Sequence, residues 1–109
     1  MLFMKRLLFI TSPGRATDIL VKRALEASKT YDFPVQIDVG DDKEGFERLA
    51  KESFDMVLLS PLLRYVLNDD DKKELFEKTP YYLVDSMIYG SLNGEAIVAN
   101  IILKIKRWH

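Results

Sequence analysis

Four short apolar segments alternate with longer stretches whose apolar residues recur at helical spacing. Leu7–Ile10 and Met56–Leu59 are unbroken apolar runs, the pattern of strands covered on both faces. Val35, Ile37 and Val39 alternate with Gln36 and Asp38, which predicts an edge strand with one wetter face. Tyr82-Leu83-Val84 is a fourth, shorter strand signal.

Between them lie the helical patterns. Leu20, Ala24 and Ala27 share one face of a first helix, with Lys22 and Glu26 as an i,i+4 pair outside. A second helix points Phe46, Leu49 and Ala50 inward and takes Asp41 or Asp42 as its cap. In the third region Leu63–Leu67 and Leu75-Phe76 are separated by Asn68-Asp69-Asp70-Asp71, which predicts a break and a fresh cap. The last helix carries Ile97, Val98, Ile101, Ile102 and Ile105, with Asn93 before it as cap.

Strict strand–helix alternation predicts an α/β fold of one domain. Its expected form is three layers: a four-stranded parallel sheet, order 2-1-3-4, with right-handed crossovers and helices on both faces. Ligands of such sheets bind beyond the carboxyl ends of the strands, where the strand order reverses. That point falls on the loop Thr11-Ser12-Pro13-Gly14-Arg15-Ala16-Thr17-Asp18, with Ser60-Pro61 beside it. A polar loop between a strand end and a helix start aims backbone N–H groups at one place and suits phosphate or another anion. Gly14 would supply backbone freedom, and Thr17 or Asp18 the cap. Arg15 adds a cation to the loop, and Arg64 could reach it from the end of the third strand.

Composition narrows the chemistry. The 109 residues hold 16 basic and 17 acidic side chains, so the basic footprint of a nucleic-acid binder is missing. With no cysteine, disulfides, thiolate metal sites and a cysteine nucleophile are excluded. Asp69-Asp70-Asp71 matches no calcium-loop spacing and reads as a solvated cap; no metal and no cofactor are expected. Tyr89 and Asn93 read as shaping the turn before the last helix. Tyr81, Tyr82 and Trp108 read as packing or surface aromatics, and His109 as a terminal residue without a role. The opening Met1–Arg6 puts its charges before an apolar run too short for a secretory signal, and Met4 offers an alternative start. No apolar run approaches the roughly 20 residues of a membrane helix. A cytoplasmic protein without direct membrane insertion is expected.

Leu7–Val21 (LLFITSPGRATDILV), Leu58–Leu67 (LLSPLLRYVL) and Val84–Glu95 (VDSMIYGSLNGE) carry a resemblance. Together they resemble the lactose/cellobiose-type enzyme IIB of the bacterial phosphoenolpyruvate-dependent sugar phosphotransferase system (PTS). The likeness runs from about Lys5 to Lys104, and its most specific parts are Pro-x-x-Arg-Tyr and Tyr-Gly-x-x-Asn-Gly. It implies a phosphoryl carrier between two partners. A phosphohistidine on enzyme IIA donates to a cysteine at the end of the first strand, which donates to a sugar carried by the membrane enzyme IIC. It also implies that Ser12, Gly14, Arg15, Ala16, Thr17 and Asp18 cradle the phosphoryl group, with Ser60, Pro61 and Arg64 on the partner rim.

At the cysteine position this chain has Thr11. A hydroxyl is a poor nucleophile near neutral pH without a base, and the loop holds no histidine or lysine. Pro13 removes one N–H from the cradle, and the Asp18 carboxylate repels a bound phosphate. Two readings therefore stand side by side. One is a phosphoryl carrier with Thr11 as acceptor; the other is a degenerate IIB-like module that docks PTS partners without carrying phosphate. A receiver domain and a low-molecular-weight tyrosine phosphatase are excluded. Thr11 and Ser60 stand where a receiver needs acids, and Thr11 and Thr17 where the phosphatase needs cysteine and arginine.

Overall fold

A computed structural model describes residues 4–107. Trp108, His109 and the first three residues lie outside the described residues. The elements run β1 (Lys5–Ile10), α1 (Arg15–Thr30), β2 (Val35–Gly40), α2 (Asp42–Lys51) and β3 (Met56–Leu59). Two 3₁₀ segments follow, Pro61–Asn68 and Asp70–Lys72, and then α3 (Lys73–Lys78), β4 (Tyr81–Leu83), α4 (Ser86–Gly90) and α5 (Gly94–Arg107). The strands form one parallel sheet in the order β2-β1-β3-β4, as the two apolar runs and the alternating edge predicted.

The pleat of β1 divides the core into two. Leu7 and Phe9 face one side, where they meet Leu20 of α1 and Ile97 and Ile101 of α5. Leu8 and Ile10 face the other, where they meet Phe46 and Leu49 of α2 and Leu63 and Val66 of the first 3₁₀ segment. All four β1 residues are fully or almost fully buried, as are the four of β3. Small residues let α1 and α5 approach closely: Ala24, Ala27 and Val98 form their shared contact.

Several boundaries differ from the sequence pattern. β1 extends back to Lys5 and Arg6 because these residues pair with Val35 and Gln36 of β2. β4 spans Tyr81–Leu83 rather than Tyr82–Val84, although Val84 N–H still donates to Leu59 O (2.9 Å). α1 begins at Arg15 with Gly14 as N-cap, so Thr17 and Asp18 lie inside the helix and neither caps it. The inner face of α2 is Gly45, Phe46 and Leu49, while Ala50 is exposed. One residue beyond Leu49 is about 100° further round the helix, which carries Ala50 off the buried stripe. Asp41 caps α2, accepting from Glu44 N–H at 2.7 Å. The third region breaks where the acidic run stands, with Asp69 accepting from Asp71 N–H at 3.0 Å, but its first part is 3₁₀ rather than α-helix.

Candidate functional site

The site is built on the ends of β1 and β3 and the start of α1. Thr11 is the first residue past β1 and keeps the sheet pairing going, donating its N–H to Gly40 O (2.9 Å). Ser60 stands beside it past β3, its N–H on Ile10 O (3.1 Å). Both are buried, Thr11 2 % and Ser60 5 % exposed. The chain then turns sharply. Gly14, at φ 157° and ψ −175°, occupies a region essentially closed to residues with a Cβ. Nothing lies within 4 Å of where that Cβ would be, so the demand is conformational, not steric.

From this turn α1 leaves with its first amide donors unspent. The first α1 N–H to reach a backbone acceptor is that of Asp18, on Gly14 O at 3.0 Å. The N–H groups of Arg15, Ala16 and Thr17 are the orphan donors of a helix start and can hold an anion. Pro13 adds none. The Thr17 side chain, 3 % exposed, serves the loop itself: its hydroxyl donates to Ser12 O at 2.8 Å and closes the turn.

The remaining candidates divide. Ser12 and Ser60 line a cavity of about 140 Å³ with Thr11, Leu62 and Leu63, and Asp41 and Asp42 of the β2–α2 junction enter the same cavity. Pro61 starts the 3₁₀ segment that supplies Leu62 and Leu63. Arg15 is exposed on the first turn of α1. Asp18 faces a groove on the outside of α1 with Val21, Lys22 and Lys29, a different place from the Thr11 cavity. Arg64 is exposed and does not line the cavity.

Tyr89 shapes the turn before the last helix, its carbonyl accepting from Leu92 N–H (3.2 Å), and it also makes a contact the sequence did not show. It sits in α4, but its phenol oxygen lies 2.7 Å from the Thr11 hydroxyl oxygen. The placement follows from the pleat: Phe9 and Thr11 are two apart on one face of the sheet. The Tyr89 ring packs edge-on against Phe9 (centroids 6.3 Å apart, planes at 87°), which carries its hydroxyl to Thr11. Asn93, four residues on, caps α5 through Ala96 N–H (3.0 Å). Asp41, Asp42 and Tyr89 are the residues sequence reasoning did not bring to the site. The Tyr-Gly-x-x-Asn-Gly stretch was the available signal for Tyr89, but it carries no information about a contact 78 residues away.

Comparison with known proteins gives the fold a name. No protein-family model matches the chain. Among solved structures it is similar to the lactose-specific IIB component domain of the phosphoenolpyruvate:carbohydrate phosphotransferase system from Streptococcus pneumoniae. That match has a TM-score of 0.69 and 14% identity, over 94% of this chain and 98% of the other. It is also similar to the cellobiose-specific phosphotransferase IIB component protein from Borrelia burgdorferi. Here the TM-score is 0.68 with 24% identity, over 96% of this chain and 94% of the other. The fold of this chain is therefore that of lactose- and cellobiose-type PTS IIB components, as the resemblance predicted. Among the described residues no helix is long and apolar enough to cross a membrane.

Proposed function

We propose that this chain is a PTS IIB-like component that docks enzyme IIA and a IIC-type transport partner in the cytoplasm, and that it binds a phosphoryl group without carrying it covalently. The observation behind this reading is the Thr11 hydroxyl, buried and engaged by Tyr89 at 2.7 Å. For Thr11 to carry phosphate, the N–P bond of a phosphohistidine must break and an O–P bond form, while the hydroxyl proton passes to a base. The leaving imidazole can take that proton, but no base is seated on Thr11 to activate it. Among the described residues its hydroxyl's only hydrogen-bond partner is the Tyr89 phenol, and Asp41 and Asp42, which enter the cavity, make no hydrogen bond to it. The product, a phosphothreonine, is an ordinary phosphate ester, so passing its phosphoryl group on to a sugar hydroxyl has almost no driving force.

The carrier reading keeps one observation in its favour. The free amides at the start of α1 and the turn at Gly14, three to six residues after Thr11 in the chain, are of the kind that cradle an anion and support that reading. Ser12, Gly14, Arg15, Ala16 and Thr17 belong to that cradle in either reading, and Ser60 and Pro61 to its rim. Asp18 and Arg64 are exposed and lie away from the Thr11 cavity, so neither is assigned to it.

A reconstituted relay separates the two. Phosphoenolpyruvate, enzyme I, HPr and a cognate enzyme IIA are mixed with this protein, and the intact mass is measured. The expected result is unchanged mass together with co-elution of the protein with phosphorylated enzyme IIA. Gain of one phosphoryl group at Thr11, discharged by the transport partner and its sugar, would establish the carrier. Absence of both label and co-elution would remove the PTS assignment.

A further inference from the structure

β2 ends the sheet on its side, and one row of its backbone groups has no strand beside it. Pro34 O and Gly40 O accept from the N–H groups of Lys5 and Thr11. A parallel ladder alternates with a period of two, so Gln36 and Asp38 also turn their main chain to β1. Val35, Ile37 and Val39 turn theirs outward, and among the described residues no strand pairs with them. Such an edge is a template for another strand, and β2 holds no lysine or proline to blunt it.

Between this edge and the outer side of α1 runs a groove lined by Val21, Leu25 and Val39. Along α1 it is bordered in turn by Asp18, Lys22, Glu26 and Lys29. All four are exposed, and among the described residues none of them makes an ion pair, not even Lys22 with Glu26 one turn on. Their signs alternate, so an antiparallel copy of α1 sets Asp18 against Lys29 and Lys22 against Glu26. Both pairings are centred on Ala24 or the Arg23–Ala24 step. The edge is self-complementary about the same level. With Ile37 opposite Ile37 of a second copy, Val35 meets Val39, and every outward N–H and C=O of the three finds a partner. On the other sheet face Asp38 meets Gln36 rather than a second Asp38, so no like charges stand opposed. Ile37 packs against the cluster of Ala24, Ala27 and Val98, so one two-fold axis serves strand and helix together. α1 lies over β1 and β2, with Leu20 and Val21 against Phe9 and Ile37. Two such helices across a joined edge stand about two strand spacings apart, roughly 9–10 Å, the separation of packed helices.

We propose that this chain self-associates through a two-fold interface in which β2 pairs antiparallel with β2 and α1 with α1, joining two sheets into one. The inference rests on neither Thr11 nor any PTS partner.

Sedimentation velocity of the full chain, from micromolar to millimolar concentration, should show monomer giving way to dimer. Lys22→Glu sets carboxylate against carboxylate across the axis, and Glu26→Lys sets ammonium against ammonium. Each alone should weaken the dimer by about tenfold or more. Mixed in equal amounts, the two variants should associate again as a heterodimer, because opposite charges then meet; damage to the fold would not be repaired by mixing. Amide exchange followed by NMR on the unaltered protein gives the second readout. The N–H groups of Val35, Ile37 and Val39 should exchange rapidly when dilute and become protected as concentration rises. A chain that stays monomeric, single variants that associate as the parent does, a mixture that does not recover, or a dimer whose three edge amides stay unprotected would each overturn the proposal. So would an edge protected only by an extended peptide of another protein.

Discussion

Gly94, the first residue of α5, lies directly against the backbone of Ala24 in α1. A Cβ on Gly94 would sit on the Ala24 amide nitrogen and 2.5 Å from the Arg23 carbonyl carbon. The neighbours are main chain, so neither can rotate away. The Gly94→Ala variant must therefore separate α1 from α5 and loosen the Ala24–Val98 contact. It should lose roughly 2–3 kcal/mol, read as a fall in the urea midpoint. Gly45→Ala is the control. Its Cβ would meet Ile10 Cγ1 at 2.8 Å, a longer approach and to a side chain rather than to main chain, and alanine's better helix propensity offsets part of the cost, so the loss should be smaller.

Thr17 closes the candidate anion loop through its hydroxyl on Ser12 O. Thr17→Val keeps the shape but leaves the carbonyl without that donor. A loss of about 1–2 kcal/mol is expected by chemical denaturation, most of it absent in Thr17→Ser, which retains the hydroxyl. Equal losses in the two variants would mean that the methyl packing, not the bond, carries the effect.

An ionic cluster lies at the other end of the sheet from Thr11. Arg48 donates to Glu52 at 2.8 Å and to Asp38 at 2.8 Å, and Arg6 reaches Glu52 at 2.6 Å. Both guanidinium groups lie over the Phe54 ring, that of Arg6 at 4.4 Å and that of Arg48 at 5.5 Å. The hydrogen bonds from Arg48 and then Arg6 hold the Glu52 carboxyl at about 2, against an ordinary value of 4.5. At Asp38 partial burial pushes the carboxyl up, but hydrogen bonds from Gln36 and Arg48 and the two arginine charges outweigh it and leave it lowered. A carboxyl held below its unfolded value stabilises the fold fully above that value and loses its contribution as pH falls through the folded one. Glu52→Gln should therefore flatten the dependence of the urea midpoint on pH between 4.5 and 2. Because Glu52 is partly exposed, added salt should shrink the difference between the two proteins. Parallel profiles would show that the cluster is energetically silent.

Tyr82 is buried in the sheet, and among the described residues its phenol oxygen has no hydrogen-bond partner. The nearby Asn100 amide donates to Ala96 O instead. Burial pushes the phenol up, the adjacent Asn100 amide, too poorly aligned to count as a hydrogen bond, lowers it in part, and the Asp85 charge adds to the rise. Tyr82→Phe removes an unsatisfied polar atom, so stability at neutral pH should hold or rise by up to about 1 kcal/mol. A raised phenol stabilises the fold only while it stays protonated. Above about pH 10 the parent should thus lose stability more steeply than the variant. A large loss in Tyr82→Phe at neutral pH would reveal a partner for the hydroxyl.

The periodicity of the chain was enough for the class of fold. Unbroken apolar runs marked β1 and β3 as central, alternation marked β2 as an edge, and their order follows from the rules of parallel crossovers. Asp41 and Asn93 were readable as caps because a cap acts on amides two or three residues away. The start of α1 was misplaced because Thr17 has a capping residue's chemistry, while a conformational demand at Gly14 sets the boundary. The first 3₁₀ segment escaped because its apolar spacing over Pro61–Asn68 fits either helix type at that length.

What the amino-acid order determined alone is which residues face inward and how the elements alternate, since both depend on neighbours within a turn or a pleat. Only the tertiary structure decided that Tyr89 meets Thr11, that Gly94 touches Ala24, and that Asp41 and Asp42 share a cavity with Ser12 and Ser60. Those pairings depend on crossovers and register that bring distant segments to one end of the sheet. No local pattern encodes them, because each residue's own neighbours would be satisfied in either arrangement.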